Sequence, residues 1–190
     1  MTKKELRKLY KEKRAALFNA EVDKLEDLIL INFQSLGLPA PNVVLTYAAC
    51  SRNKEYDPYL IERYLHFQNP GCTFAYPVIK EDNEMHIFSV SGETAFSPNK
   101  FGIEEPVDGL LLDPLTINMV ILPLLAFDRR GFRVGYGKGY YDRFLIQCRK
   151  DVLKTGFSFF LPETAIDDVN EYDIPMDKCI TPYETFSFVI

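Results

Sequence analysis

The run FDRRGFRVGYGKGYYDR, residues 127–143, gathers the residue types that can handle a phosphorylated ligand. Gly135, Gly137 and Gly139 alternate with Tyr136 and Lys138, and Arg129, Arg130, Arg133 and Lys138 supply positive charge around them. Tyr140, Tyr141 and Asp142 follow at once, where a helical pattern begins. Glycine lacks a Cβ, so the backbone can bend freely there and come close to a ligand. Successive N–H groups leading into a helix form a cradle for an anion. An aspartate just past that cradle is placed to share a magnesium ion with the phosphates. The stretch is not a Walker A loop, because Lys138 is followed by Gly139 rather than Ser or Thr. It is not a dinucleotide fingerprint either, because the third glycine of GxGxxG would fall on Tyr140. The glycine spacing alone is equally what a solvated turn shows. Lys138 and a Tyr-Tyr-Asp in the same run favour the phosphate cradle.

The elements that must position this loop follow from the rest of the chain. A length of 190 residues suits a single domain, 1–190, and 47% hydrophobic residues can build a real core. No run approaches the roughly 18 apolar residues of a membrane span. The charged N-terminus carries no apolar signal segment. Cys50, Cys72, Cys148 and Cys179 form no CxxC and read as reduced thiols of a cytoplasmic protein. With only His66 and His86 beside them, a zinc site is not expected, and any metal should be a hard ion on carboxylates. Residues 3–14 carry +5 while the whole chain carries −5, which leaves −10 elsewhere. That balance argues against a general nucleic-acid binder and for a basic segment that meets one specific anion.

Periodicity predicts helices over 3–18, 21–36, 58–68 and from Gly139 or Tyr140 to Gln147. Strands are expected at Val43–Ala49, Cys72–Ile79, Met85–Val90, Asn118–Leu122 and Lys154–Phe160, with a loop from Ser91 to Pro106. Strands separated by helical patterns indicate α/β with a largely parallel sheet. In such sheets ligands sit beyond the carboxyl ends of the strands, which singles out the CSRNKEYDPYLI stretch after the first strand. There Glu55 and Asp57 could serve a ligand, or simply open the next helix, where acids favour the first turn and Pro58 the first position.

The segment PLLAFDRRGFRVGYGKGYYDRFL, residues 123–145, resembles the signature of the 5-formyltetrahydrofolate cyclo-ligase family, also called 5,10-methenyltetrahydrofolate synthetase, with Val134 in the place of a leucine. KKELR near the start, Glu55 with Asp57, FGIEEP at 101–106 and EYDIPMDKCITP in the acidic tail resemble further family segments; Pro58 departs from the usual Thr. The resemblance implies a Rossmann-like three-layer α/β/α fold with a largely parallel central sheet. It also implies conversion of 5-formyltetrahydrofolate, polyglutamylated or not, and ATP to 5,10-methenyltetrahydrofolate, ADP and phosphate. By the same resemblance, ATP would meet Lys3 or Lys4, Arg7 and the backbone from Arg133 through Val134, Gly135, Tyr136, Gly137, Lys138, Gly139 and Tyr140 to Tyr141. Lys138 and Arg133 would be the catalytic cations. Asp142 and Asp173 would hold Mg2+. Glu55 would fix the folate pterin, with Tyr136, Gly137, Lys138, Gly139 and Tyr140 walling folate from nucleotide. A monomer is expected, with no nucleic-acid or membrane partner. A relative that keeps the ATP pocket in a binding role, or a kinase or ligase for another small anion, are the alternatives.

Overall fold

Short apolar strands, too hydrophobic to face water on either side, form the middle of the protein. The computed structural model describes residues 1–80, 84–99 and 102–188. The chain runs α1 (Lys3–Ala16), α2 (Asn19–Ser35), β1 (Val43–Leu45), α3 (Tyr59–Gln68), β2 (Thr73–Ile79), β3 (Met85–Ser89), β4 (Phe96–Pro98), β5 (Glu104–Pro106) and β6 (Leu110–Leu111). It continues through β7 (Met119–Leu122), β8 (Ala126–Phe127), β9 (Arg133–Val134), α4 (Tyr140–Leu145), β10 (Leu153–Phe157), β11 (Lys178–Ile180) and β12 (Thr185–Ser187). The main sheet has the order β12-β11-β10-β7-β1-β2-β3-β6. Its centre, from β11 to β2, is parallel, whereas β12, β3 and β6 join antiparallel at the edges. The expected largely parallel α/β sheet is therefore present.

Period-2 alternation divides the core. Val44, Met119 and Ile121 pack on one face against Ile29 and Phe33 of α2 and Ile61 and Leu65 of α3. Leu45, Val120 and Leu122 pack on the other against Phe144 and Leu145 of α4. All four residues of β7 are buried, as a central strand covered on both faces requires. Each such side chain contributes about 1.5–3 kcal/mol on leaving water. The helix α1 lies outside these layers. Leu6 and Tyr10 pack with Leu125, Ala126, Val134 and Ile166 in a third cluster beneath the glycine loop.

Topology locates the site. From β1 the parallel strands proceed to β2 on one side and to β7 on the other. The switch point between β1 and β7 is where an open α/β sheet leaves a crevice at its carboxyl ends. The chain leaving β1 carries Glu55, and the chain leaving β7 carries the glycine loop.

Several elements differ from the sequence reading. The strand expected over Val43–Ala49 pairs only through Leu45, plus one bond from the Thr46 N–H to the Ala75 carbonyl (2.9 Å), because the chain then turns away to form the site loop. Lys154–Phe160 pairs as Leu153–Phe157. The expected loop Ser91–Pro106 contains the hairpin β4–β5, pinned by the Glu105 carboxylate, which accepts from Asn99 Nδ2 (2.8 Å) and the Ile79 N–H (3.2 Å). Phe101, which opens FGIEEP, lies outside the described residues.

The turn joining β8 to β9 is built on Asp128, which is fully buried. Its carboxylate accepts from the backbone N–H groups of Arg130 (2.9 Å), Phe132 (3.2 Å) and Ile166 (3.0 Å) and from Arg130 Nη2 (2.7 Å). Truncating it leaves buried donors without acceptors. Asp128→Ala is expected to lower the unfolding free energy by about 3 kcal/mol, read from the urea midpoint. A midpoint equal to that of the parent chain would remove Asp128 as the organiser of the turn.

Candidate active site

The glycine loop begins where Val134 is sealed into the core, so apolar packing is what position 134 supplies. Beyond it the chain emerges into solvent, and residues 136–139 are exposed. Gly137 has φ +93°, and Gly139 has φ +67°; these are left-handed conformations that side chains with a Cβ rarely adopt. At Gly137 a Cβ would also lie 3.2 Å from Arg7 Cζ, so the Arg7 guanidinium would have to shift to admit it. Among the described residues, the backbone N–H groups of residues 135–139 find no protein acceptor. Five consecutive open donors in a loop held by strands on one side and a helix on the other form the concave set that an anion can satisfy. The Lys138 side chain is exposed and, among the described residues, makes no hydrogen bond or ion pair, while its carbonyl accepts from Arg143 Nη1 (3.0 Å).

The first helix meets this loop with its inner face. A capping box starts it: Glu5 N–H donates to Thr2 Oγ1 (3.4 Å) and Thr2 N–H to Glu5 Oε2 (2.8 Å). The Lys3 ammonium reaches Asp173 Oδ1 at 2.6 Å, and Arg7 Nε donates to the Gly135 carbonyl at 2.9 Å. Residues 3 and 7 share a face by the i, i+4 rule. Lys4 is exposed, whereas Lys3 is partly buried against the acidic tail.

Asp142 and Asp173 come together although 31 positions separate them in the chain. Asp142 Oδ1 accepts from the N–H of Ile174 (3.1 Å), the residue after Asp173, and from Arg133 Nη2 (2.9 Å). Arg133, whose side chain is 6% exposed, also donates from Nη1 to the Ile174 carbonyl (2.8 Å). Each acid is thus paired with a cation: Asp142 with Arg133 and Asp173 with Lys3. The described residues contain no group of three or more His, Cys, Asp or Glu that would form an all-protein cage. Two carboxylates beside a loop of open N–H donors are a donor set that fits magnesium, which commonly takes one or two carboxylates together with substrate phosphates.

Glu55 lies on the far side of the loop. The turn before it, 51–54, ends with Lys54 in a left-handed conformation (φ 43°), its ammonium held by the carbonyls of Ala15 (3.1 Å) and Leu17 at the end of α1. The Glu55 carboxyl is 9% exposed; Oε2 accepts from the Cys50 N–H (3.0 Å), and Oε1 is buried without a partner. Burial pushes its pKa above the usual carboxylate range, and the Cys50 N–H, Tyr136 and Arg14 pull it partway back. The Tyr136 hydroxyl is likewise pushed up, first by burial and then by the Glu55 charge. Tyr141 buries its hydroxyl unpartnered, and its pKa too is raised by burial. Tyr140 packs on the core, with the Arg143 guanidinium 5.3 Å from its ring centroid. Asp57 turns away, accepting from the Tyr59 N–H (3.0 Å) and donating its own N–H to Glu26 (3.0 Å), so it opens α3. Of the cysteines, all are free and three are buried; burial raises Cys72 and Cys148 to about 11.

Sequence reasoning passed over Arg14, which is buried at 2% exposure. Its Nη2 donates to the Leu124 carbonyl and its Nη1 to the Tyr136 hydroxyl (3.3 Å). The available signal is its spacing. Leu6, Tyr10 and Arg14 fall at i, i+4 and i+8, so Arg14 continues the buried stripe of a helix otherwise covered with exposed cations.

Comparison with known proteins gives the family and the fold. The model of the 5-formyltetrahydrofolate cyclo-ligase family matches residues 2–182. The 5-formyltetrahydrofolate cyclo-ligase of Mycoplasma pneumoniae is 27% identical over 161 residues, 84% of this chain and 86% of that protein. The Escherichia coli K12 enzyme of the same name is 32% identical over 93 residues, 47% of this chain and 51% of that protein. The NMR structure of the Aquifex aeolicus 5,10-methenyltetrahydrofolate synthetase superposes with a TM-score of 0.79 at 31% identity, covering 100% of this chain and 94% of that one. A 5,10-methenyltetrahydrofolate synthetase structure from Mycoplasma pneumoniae, at 24% identity, shares the fold with a TM-score of 0.70 over 96% of this chain and 99% of its own. With the match running from the cap of α1 to the end of β11, the chain belongs to the 5-formyltetrahydrofolate cyclo-ligase family.

Proposed function

We propose that this protein converts 5-formyltetrahydrofolate and ATP to 5,10-methenyltetrahydrofolate, ADP and phosphate, with magnesium bound alongside the nucleotide. One observation carries the reading. A single loop offers open N–H donors and an unpaired lysine, and the pocket beside it holds an unpartnered buried carboxylate oxygen. The donors suit a triphosphate, and the carboxylate suits the amino and ring N–H donors of a pterin.

The chemical obstacle is the leaving group. The formyl oxygen attacks the γ-phosphorus of ATP, and ADP departs. The folate 10-nitrogen then attacks the formyl carbon, the C–O bond breaks with the oxygen leaving as phosphate, and the proton on that nitrogen is released. Ring closure is intramolecular, so held geometry supplies much of the acceleration. The protein is left with positioning and with neutralising the charge of the transferring phosphoryl group. In this reading the backbone from Arg133 to Tyr141 receives the phosphates, and Lys3 and Arg7 approach them from α1. Lys138 reaches the transferring group, and Arg133 sets the loop through Asp142 and Ile174. Asp142 and Asp173 would hold the magnesium ion, which would supply positive charge on the phosphate oxygens. Glu55 fixes the pterin, and Tyr136 to Tyr140 stand between the two substrates. The protein would act as a cytoplasmic monomer; its free, largely buried thiols suit a reducing compartment.

The reaction is tested by following methenyl absorbance in the near ultraviolet with 5-formyltetrahydrofolate, magnesium and ATP, against a control without ATP. An ATP-dependent rise is expected. A flat trace from protein that still binds ATP would transfer the pocket to another acceptor. Lys138→Ala is expected to lower kcat by about 10²–10³ with an unchanged melting temperature, because the side chain is exposed and makes no hydrogen bond or ion pair among the described residues. Near-parent turnover would strip Lys138 of its role. Asp142→Asn should raise the magnesium concentration for half-maximal rate by about ten-fold; an unmoved requirement would take Asp142 off the metal.

A further inference from the structure

Arg14 poses a physical problem. An arginine taken out of water is costly unless its donors are fully paired. Nη2 and Nη1 have the Leu124 carbonyl and the Tyr136 hydroxyl, but Nε is buried with no partner. Glu55 Oε1 is buried with no partner either, and Tyr136 adjoins both groups. Roughly 90% or more of buried polar groups in folded proteins are satisfied. A cationic donor and a carboxylate acceptor on either side of Tyr136, each with one open polar atom, therefore mark a place that a ligand completes.

Taking the chain as a folate-cyclising ligase, we propose that Arg14 is a positioning residue of the folate half of the site. It docks the Tyr136 side of the glycine loop onto α1 and holds Glu55 as the charged acceptor that meets the pterin's N–H donors. The guanidinium spans two sequence-distant segments, since its partners at Leu124 and Tyr136 lie 110 and 122 positions away. Removing it takes a donor from the Tyr136 hydroxyl and a positive charge from the surroundings of Glu55. The other groups acting on Glu55 are Tyr47 after β1, the charge of Asp57 in its own loop, Tyr136 and, from α4, Tyr141, while the adjacent Lys54 ammonium is engaged by the carbonyls of Ala15 and Leu17. Loss of Arg14 therefore moves the Glu55 carboxyl further above its ordinary range, and folate binding fails at a higher pH as the carboxylate protonates.

The test measures 5-formyltetrahydrofolate binding to the full chain by calorimetry without ATP or magnesium, across pH, together with the KM of each substrate. The variants are Arg14→Met, Arg14→Lys, Glu55→Gln and the Arg14→Met/Glu55→Gln pair. Arg14→Met is expected to weaken folate binding by about ten-fold or more, to shift its acid limb to higher pH, and to leave the ATP KM within about two-fold. Arg14→Lys restores the charge without the fork, so its acid limb stays at the parent pH while folate affinity falls by about three-fold. The double variant should bind folate no more weakly than Glu55→Gln alone. Arg14→Met with the parent's folate affinity and acid limb overturns the proposal. So do losses equal on both substrates that add in the double variant, the signature of a merely structural arginine. If Arg14→Met does not fold, Arg14→Lys decides: equal losses for folate and ATP overturn the proposal. A parent chain that neither binds folate nor forms the methenyl product overturns the cyclo-ligase reading itself, whereas an active parent with a normal Arg14→Met overturns only the role of Arg14.

Discussion

One helix holds the site together. The inner face of α1 meets Asp173 through Lys3, the glycine loop through Arg7, and Leu124 and Tyr136 through Arg14, and its final carbonyls hold Lys54 beside Glu55. Fourteen residues at about 1.5 Å each span about 21 Å, enough to run from the acidic tail to the loop beyond β1. Leu6 and Tyr10 are anchored under the loop, so the helix cannot shift without disturbing the core. The glycine loop and the Glu55 loop are thereby referenced to the same rigid element. In the proposed reaction, where one substrate's oxygen would approach the other's phosphorus, such a common reference would hold the two in register.

Charge balance in the site follows from the same arrangement. Lys3 with Asp173 and Arg133 with Asp142 are partly or largely withdrawn from solvent; the first pair joins opposite ends of the chain, and the second closes across the glycine loop. Unpaired, any of these would be costly at such depth. A triphosphate and a magnesium ion together would offer the cations an anion and the acids a cation. Either one alone would satisfy only half of each pair. The surroundings of Tyr136 are different in kind. There the buried groups are only partly satisfied, with Arg14 Nε, Glu55 Oε1 and the Tyr141 hydroxyl lacking partners.

The sequence displayed the parts of this design that are contiguous. The glycine loop, its lysine and the aspartate after it fall within seventeen residues, and backbone freedom at Gly137 and Gly139 is a property of residue type. The long helices and the buried strands were visible through periodicity. The parts that depend on distant partners were not. Lys3 and Lys4 differ only by rotation about a helix axis, and only the packed helix turns one inward. Arg14 reads as one more cation of a basic helix until the chain brings Leu124 beneath it. Pairing of Arg133 with Asp142 requires the turn at Gly139 and the return of Ile174. The pairs β8–β9 and β11–β12 contain two or three residues per strand, too few for alternation to show.

The claim at the centre of this account is that the open amides of residues 135–139 receive the phosphates of ATP. It is tested most directly by recording amide proton and nitrogen resonances of the labelled chain while magnesium ATP is added. The account predicts that the largest downfield proton shifts fall on Gly135, Tyr136, Gly137, Lys138 and Gly139, as new hydrogen bonds to phosphate oxygens form. Saturable binding that leaves those five amides unmoved and perturbs another surface would contradict it.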